Sequence, residues 1–305
     1  MSVFSGDLGG VGIAVETTYG VSATPSGNWL LTKPGASMGK QQNVDEVDAL
    51  SVVKRRSRTR GKWGSGAFSF IPNYLDGENF RQLLKHCFGT ETGTGPYTYS
   101  ITDPSTAVSL SVWQDLGGYV EELLGAKARS IEFVFGAGFA MINVDVISQD
   151  VAHPTSVTIA YTDDATLIHS NDISLFTIAG VDYLSALKEL SIKMDIPHTG
   201  EERIFLGNDT IGEPQRSGPR AISVAGQLEL RDATPDVTTL IDLWEGNTNL
   251  GDLIVQATSG DYSLKVTADD LTCVGDPIPL DSGVAVWSWS AQANDMGCVW
   301  DETTP

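Results

Sequence analysis

Only three cysteines, Cys87, Cys273 and Cys298, occur in 305 residues, and they are odd in number and far apart. That argues against a disulfide framework and for folding in a reducing cytoplasm. Histidine is as sparse. His86, His153, His169 and His198 are scattered, with no H-E-x-x-H pattern and no cysteine pairs at zinc spacing, so no metal site is expected. No apolar run approaches the roughly eighteen residues of a membrane span. The opening "MSVFSGDLGGVGIAVETTYG" has neither a basic n-region nor an apolar h-region, so no secretory signal is expected. Positive charge is short as well: 19 Lys and Arg stand against 39 Asp and Glu, a formal net charge of -20. Such a surface repels phosphates, which disfavours ordinary duplex binding.

Catalytic and cofactor motifs are also missing. "GASMGKQ" (Gly35–Gln41) is one residue short of a phosphate loop, and Gln41 stands where Ser or Thr would hold magnesium. "GGVG" (Gly9–Gly12) lacks the third glycine of a dinucleotide fingerprint. "WGSGA" does not have the spacing of a nucleophile elbow. His86 adjoins Cys87, but adjacent helix positions face apart, which argues against a Cys–His dyad; Cys87 reads as a core thiol. A carboxylate pair could make an acidic hydrolase, yet a solvated acidic surface explains the same residues. No catalytic residue, metal or cofactor is expected.

What is present is a repeated pattern. Hydrophobic content of 41% and charged content of 19% fit a globular chain. "RGKWGSGAFSF" (Arg60–Phe70) and "RAISVAGQLEL" (Arg220–Leu230) each open on Arg and place Gly at the seventh position (Gly66, Gly226). Phe68 and Phe70 then correspond to Leu228 and Leu230. In the second copy Ile222, Val224, Leu228 and Leu230 alternate with polar or small residues, the period of a half-buried strand. Each strand is followed by a short amphipathic helix. Phe80, Leu83, Leu84 and Cys87 share one face, as do Val237, Leu240, Ile241 and Trp244. Asp76 and Thr234 suit the N-cap, Pro235 the first turn, and Gly89 and Gly246 the C-terminal left-handed position.

Other segments read as strands. "ELSIKMDI" alternates Leu190, Ile192, Met194 and Ile196 against polar neighbours, and "IEFVFGAGFAMINVDV" is a hairpin about Gly136–Gly138. "GVAVWSWSAQA" places Ala285, Trp287 and Trp289 on one face. The expected fold is mainly β with short helices, a β-rich α+β arrangement. It has two similar domains, 1–165 and 166–305, each with one packed helix. The halves differ in charge: residues 161–305 hold 24 of the acids and 7 of the bases.

The duplicated strand–helix unit, with "GIAVETTYGVSATPSGNWLLT" before it and "GEERIFLGNDTIGEPQRSGPRAISVAGQLEL" in the second half, resembles the tail tube (major tail) proteins of long-tailed bacteriophages. The resemblance implies β-sandwich-like domains whose inner sheet joins its neighbours into a barrel, with the helix outside. A duplicated chain would form trimeric, pseudo-hexameric rings that stack into a tube for genome ejection. DNA would pass through an acidic lumen without specific binding. Tape measure, tail terminator and distal tail proteins are the implied partners. No membrane is involved, and the chain would be made in the host cytoplasm and reside in the virion tail.

Against the overall acidity, "KRRSRTRGK" packs six cations, Lys54, Arg55, Arg56, Arg58, Arg60 and Lys62, into nine residues. The family places here a long loop or hairpin that reaches the next ring, which makes these residues candidate inter-ring contacts. A solvated charge run without a partner, or a DNA or lipid contact, are the other readings. A two-domain β-sandwich binding module or tail-associated adhesin is the alternative function, with Trp287 and Trp289 as its ligand platform.

Overall fold

A computed structural model describes residues 9–25, 27, 29–32, 37–47, 56–74, 77–102, 109–116, 119–154, 157–161, 167–200, 210–230, 237–246, 249–274 and 286–302, with the backbone alone at 43–47, 56–60, 238 and 244. The first half contains β1 (Gly10–Glu16), β2 (Leu30–Leu31), β3 (Ser37–Val47), β4 (Arg56–Phe70), α1 (Gly77–Phe88), β5 (Gly89–Thr92), β6 (Tyr97–Ile101), β7 (Ser109–Asp115), β8 (Val120–Phe135), β9 (Met141–Ser148) and β10 (Asp150–Ala152). The second contains β11 (Ile173–Ile178), β12 (Val181–Asp182), β13 (Leu187–Asp195), β14 (His198–Thr199), β15 (Gln215–Arg216), β16 (Ala221–Glu229), α2 (Val237–Glu245), β17 (Leu253–Ser259), β18 (Tyr262–Asp269), β19 (Thr272–Cys273), β20 (Val286–Ala293) and β21 (Asp295–Asp301). The fold is mainly β with short helices, as expected.

The strands form two large antiparallel sheets and a short β14–β15 ladder. In the larger sheet β8 is the hub. One of its edges carries β9 and then β10; the other carries β7 beside its first half and β13 beside its second. From there the sheet runs one way through β9, β4 and β3, and the other through β13, β16, β20 and β19. The second sheet is ordered β12-β11-β17-β18-β21-β6-β5. Both halves of the chain contribute strands to both sheets. Their inner faces meet in one core that joins Phe133, Ile192, Val224 and Trp287 of the first sheet to Phe176, Val255, Val266 and Trp300 of the second.

Period-two patterning accounts for these placements. In β16, Ile222, Val224, Gly226 and Leu228 are buried while Ala221, Ser223, Ala225 and Gln227 are exposed. In β13, Leu190, Ile192 and Met194 are fully buried, and β8 and β9 form the expected hairpin. α1 buries Phe80, Leu83, Leu84 and Cys87, carries Glu78 in its first turn and Lys85 in its last, and ends at Gly89 with φ of 102°. α2 buries Val237 and Leu240, and Gly246 closes it by donating to the Asp242 carbonyl at 3.0 Å. The proposed caps Asp76 and Thr234, with Pro235, Ala285 and the Trp244 side chain, lie outside the described residues.

The two glycine-led strands occupy comparable places in the larger sheet. Gly66 faces Met38 on β3 and Val146 on β9; Gly226 faces Leu190 on β13 and Trp289 on β20. Each is the middle of three strands, each precedes a helix, and each helix precedes a hairpin in the second sheet (β5–β6, β17–β18). Both glycines make room for a neighbour's side chain. A Cβ on Gly66 would stand 2.4 Å from Met38 Cγ, and one on Gly226 would stand 2.8 Å from the Trp289 indole.

α1 also closes an edge. β2 pairs β1 only at Gly10 and Val11. Further along, Asn79 Oδ1 accepts the Ile13 N–H and Gln82 Oε1 the Val15 N–H, both at 2.6 Å. Helix side-chain amides thus stand in for a neighbouring strand.

Gly226→Val should cost about 1–3 kcal/mol by overpacking against Trp289. Gly39→Ala, whose added Cβ meets nothing within 4 Å, should cost far less. Urea unfolding midpoints compare the two; equal losses would contradict the packing of Trp289 over Gly226.

Candidate functional site

Across β4, β9, β13 and β16, with the second half of β8, the outward face of the larger sheet is built mainly from small and polar side chains. Register aligns them in rows across strands. One runs Ala67–Asp145–Ser130–Asp195–Ala221, and the next Ser69–Asn143–Glu132–Lys193–Ser223–Gln292. These side chains are exposed or half-buried, directly behind fully buried Ile131, Phe133 and Ile192. The alternation that loads the inner face with apolar bulk therefore leaves the outer face short and hydrophilic.

Negative charge collects in the middle of this face. Glu132 accepts from Asn143 Nδ2 at 2.8 Å and from Ser191 Oγ at 2.6 Å. Lys193 pairs with Asp195 at 2.8 Å, and Arg129 reaches Asp145 at 4.0 Å. Burial raises the Asp145 carboxyl above its usual range despite Arg129, and Asp195 adds to the rise. The depression here, lined by Ala67, Ser69, Ser130, Glu132, Asn143 and Asp145, holds about 200 Å³. Small-molecule sites usually occupy about 300–1,000 Å³. No cluster of three or more metal-ligating side chains occurs among the described residues.

Part of the basic run lies on a long two-stranded ladder. β3 and β4 pair from Ser37–Ala67 to Val47–Arg56, with a bulge at Gly61 (φ 70°). β9 accompanies β4 only from Gly64 to Phe70. The hairpin therefore projects past β9 by eight residues, about 26 Å at about 3.3 Å per residue. Arg56, Arg58 and Arg60 lie on the projecting part of β4, while Lys54 and Arg55 lie outside the described residues. Lys62 sits at its root, half-buried, and its carbonyl accepts the Ile211 N–H at 3.0 Å. Residues 210–211 of the second half thus dock against the root of the first-half hairpin, a contact that no spacing in the sequence reveals.

Trp287 and Trp289 face inward. They are 1% and 5% exposed, with ring centroids 6.1 Å apart, so they are core residues and not an exposed platform. Cys87 is buried on the inner face of α1, and burial pushes its thiol up to about 12, which leaves it an inert core group. On α1's outer side, Arg81 lies over the Tyr97 ring at 3.4 Å and pairs with Glu91 at 3.1 Å and Glu302 at 3.4 Å, tying the helix to the second sheet.

A long sheet with a polar outer face, a projecting hairpin and a helix packed on an edge is a surface suited to assembly. A family model described as phage tail tube protein matches residues 6–286. The chain belongs to that family. No curated protein matches it. As a phage tail tube protein it is a structural component of the virion tail, and family membership implies self-assembly into a tube with other tail proteins as neighbours. No described helix is long and apolar enough to cross a membrane.

In this tail tube protein, Asp145→Asn should raise the melting temperature at neutral pH. A carboxyl whose folded pKa is raised contributes its stability below the unfolded value of about 3.9 and loses it as pH rises through the folded one. The advantage of the variant should therefore open above about pH 4 and vanish below it. A variant that melts lower at every pH would show that the Arg129 contact outweighs the burial.

Proposed function

We propose that three chains close into a pseudo-hexameric ring, that rings stack into the tail tube, and that the genome leaves through its lumen. The observation that carries this is the comparable placing of the Gly66 and Gly226 strands, each between two partners and each ahead of a helix and a hairpin. It supports two copies of one unit, the tail-tube-like domains 1–165 and 166–305, joined edge to edge through β8 and β13. Three such chains would supply six units. The free edges fit the same plan. Apart from the Met38 N–H, which donates to Gln114 at 3.3 Å, the outer edge of β3 has no strand partner among the described residues, and neither has β20 from Val286 to Trp289. Pairing β3 of one chain with the β20 side of the next would continue the sheet around a barrel and leave no edge exposed.

The polar outward face of the large sheet then lines the lumen. Its short Ser, Ala, Asn and Gln side chains offer a sliding strand little to grip, and Glu132, Asp145, Glu189 and Asp195 repel phosphates. The hairpin projecting along the strand direction is placed to reach the adjacent ring. Lys54, Arg55, Arg56, Arg58, Arg60 and Lys62 are proposed to meet carboxylates there, with Arg favoured for its bidentate geometry. Single exposed pairs contribute about 0–1 kcal/mol, so repetition around the ring must supply the effect. Tape measure, terminator and distal tail proteins would cap and fill the tube, and synthesis would take place in the host cytoplasm. The adhesin reading has lost its platform, because Trp287 and Trp289 are buried.

Electron microscopy of concentrated protein should show stacked rings of three chains; six chains per ring would refute the duplicated arrangement. The triple variant Arg55→Glu, Arg56→Glu, Arg58→Glu should melt like the wild type yet fail to grow tubes. Normal tube growth by the variant would remove the stacking role from the hairpin. Salt-sensitive retardation of duplex DNA by the native chain alone would reassign it to DNA.

A further inference from the structure

Two histidines from opposite halves of the chain hold the same residue of β8. β8 is bulged at Ala128–Ser130. His86 Nε2, from α1, accepts the Ala128 N–H at 3.2 Å. His198 Nδ1, from β14, bonds the Ala128 carbonyl at 2.8 Å, which requires that nitrogen to donate. Those partners fix both neutral rings with the proton on Nδ1. His86 is buried and His198 half-buried. The groups facing them are mostly cationic. β8 contributes Lys127, whose ammonium pairs with Glu213 at 3.1 Å. β15 contributes Arg216, and Arg220, just ahead of β16, donates to the Thr102 carbonyl at 3.2 Å. Cys87 lies beside His86 on α1 and keeps its proton.

We propose that His86 and His198 form an acid-sensitive latch on Ala128, His86 tying α1 to β8 and His198 tying the β14–β15 ladder to it. A proton added to His86 Nε2 turns the acceptor into a donor facing the Ala128 N–H, and that bond is lost. A proton added to His198 Nε2 leaves its bond to the carbonyl but sets another cation beside Lys127, Arg216 and Arg220. Burial first, and then these cations, lower both histidines below their usual value. For a depressed base the folded state binds fewer protons than the unfolded one. The latch is therefore fully closed above about pH 6.5 and weakens as pH falls, by up to about tenfold per pH unit for each histidine. Ile211, just ahead of β15, holds the Lys62 carbonyl through its N–H, so opening the latch also loosens the root of the β3–β4 hairpin. Only an effect of that loosening on ring stacking rests on the stacking reading; the latch belongs to the single chain.

The test is hydrogen exchange of the unassembled chain between pH 7.5 and 5, corrected for intrinsic rate. Peptides covering Pro197–Gly200 and Thr210–Arg220 should open at least tenfold more at the acid end, while β17 and β18 stay protected. The double variant His86→Gln, His198→Asn keeps an acceptor and a donor for Ala128 but cannot titrate, and its profile should be flat. An acid response that persists in the double variant, or is missing from the wild type, overturns the latch. Should the variant fail to fold, imidazole NMR titration of the wild type decides: ordinary histidine values overturn the proposal and depressed ones support it. A chain that opens in acid but never forms rings would count against the tube reading and not against the latch.

Discussion

A strand sixteen residues long must find partners for its backbone on both edges, and β8 meets that demand with β7, β9, β10 and β13. Everything else in the larger sheet hangs on this choice. Because β7 and β13 share one edge at different heights, the sheet divides there, with β1 and β2 following the first half of β8 and the second-half strands following the other. Such a path needs local bends. Gly125 supplies one with φ of 64°, and the Tyr19 ring fills the place a side chain would take. Glu16 secures the same corner from the face opposite the main core, accepting the Gly125 and Ser111 donors at 2.9 Å and the Gly20 N–H at 2.7 Å. A carboxylate so fully bonded can be buried without an ion-pair partner.

The division of labour between faces follows from the same strands. In β4, β9, β13, β16 and β20 one side joins a core rich in tryptophan and phenylalanine, and the other is kept mainly short and polar. β1 and β7 instead bury both faces, the second around Trp29 and Trp113. Family membership implies self-assembly, and assembly draws on the surfaces and edges of such a sheet. The projecting β3–β4 hairpin departs from that plan, as a long ladder reaching beyond its sheet with positive charge on an acidic chain.

Local pattern carried much of this. The alternation in β13 and β16, the amphipathic faces of α1 and α2, the turn at Gly136–Gly138 and the shared face of Trp287 and Trp289 in β20 were all legible, because each depends on residues within one element. Contacts between distant segments were not. His86 looked idle beside Cys87 because the partner that uses it, the Ala128 backbone, is 42 residues away. Ile211 gave no sign that its N–H would meet Lys62. Asn79 and Gln82 read as ordinary polar helix positions, yet they face the edge of β1. Backbone groups look alike in every sequence, so a side chain that serves them leaves no pattern to read.

Those two amides have a consequence for growth. A sheet with several bare edges can add strands in any order, as fibrils do. With β1 blocked, the larger sheet keeps two long open margins among the described residues, the outer edge of β3 and β20 from Val286 to Trp289. In polymer terms the proposed pairing makes this sheet bifunctional, able to extend or to cyclise.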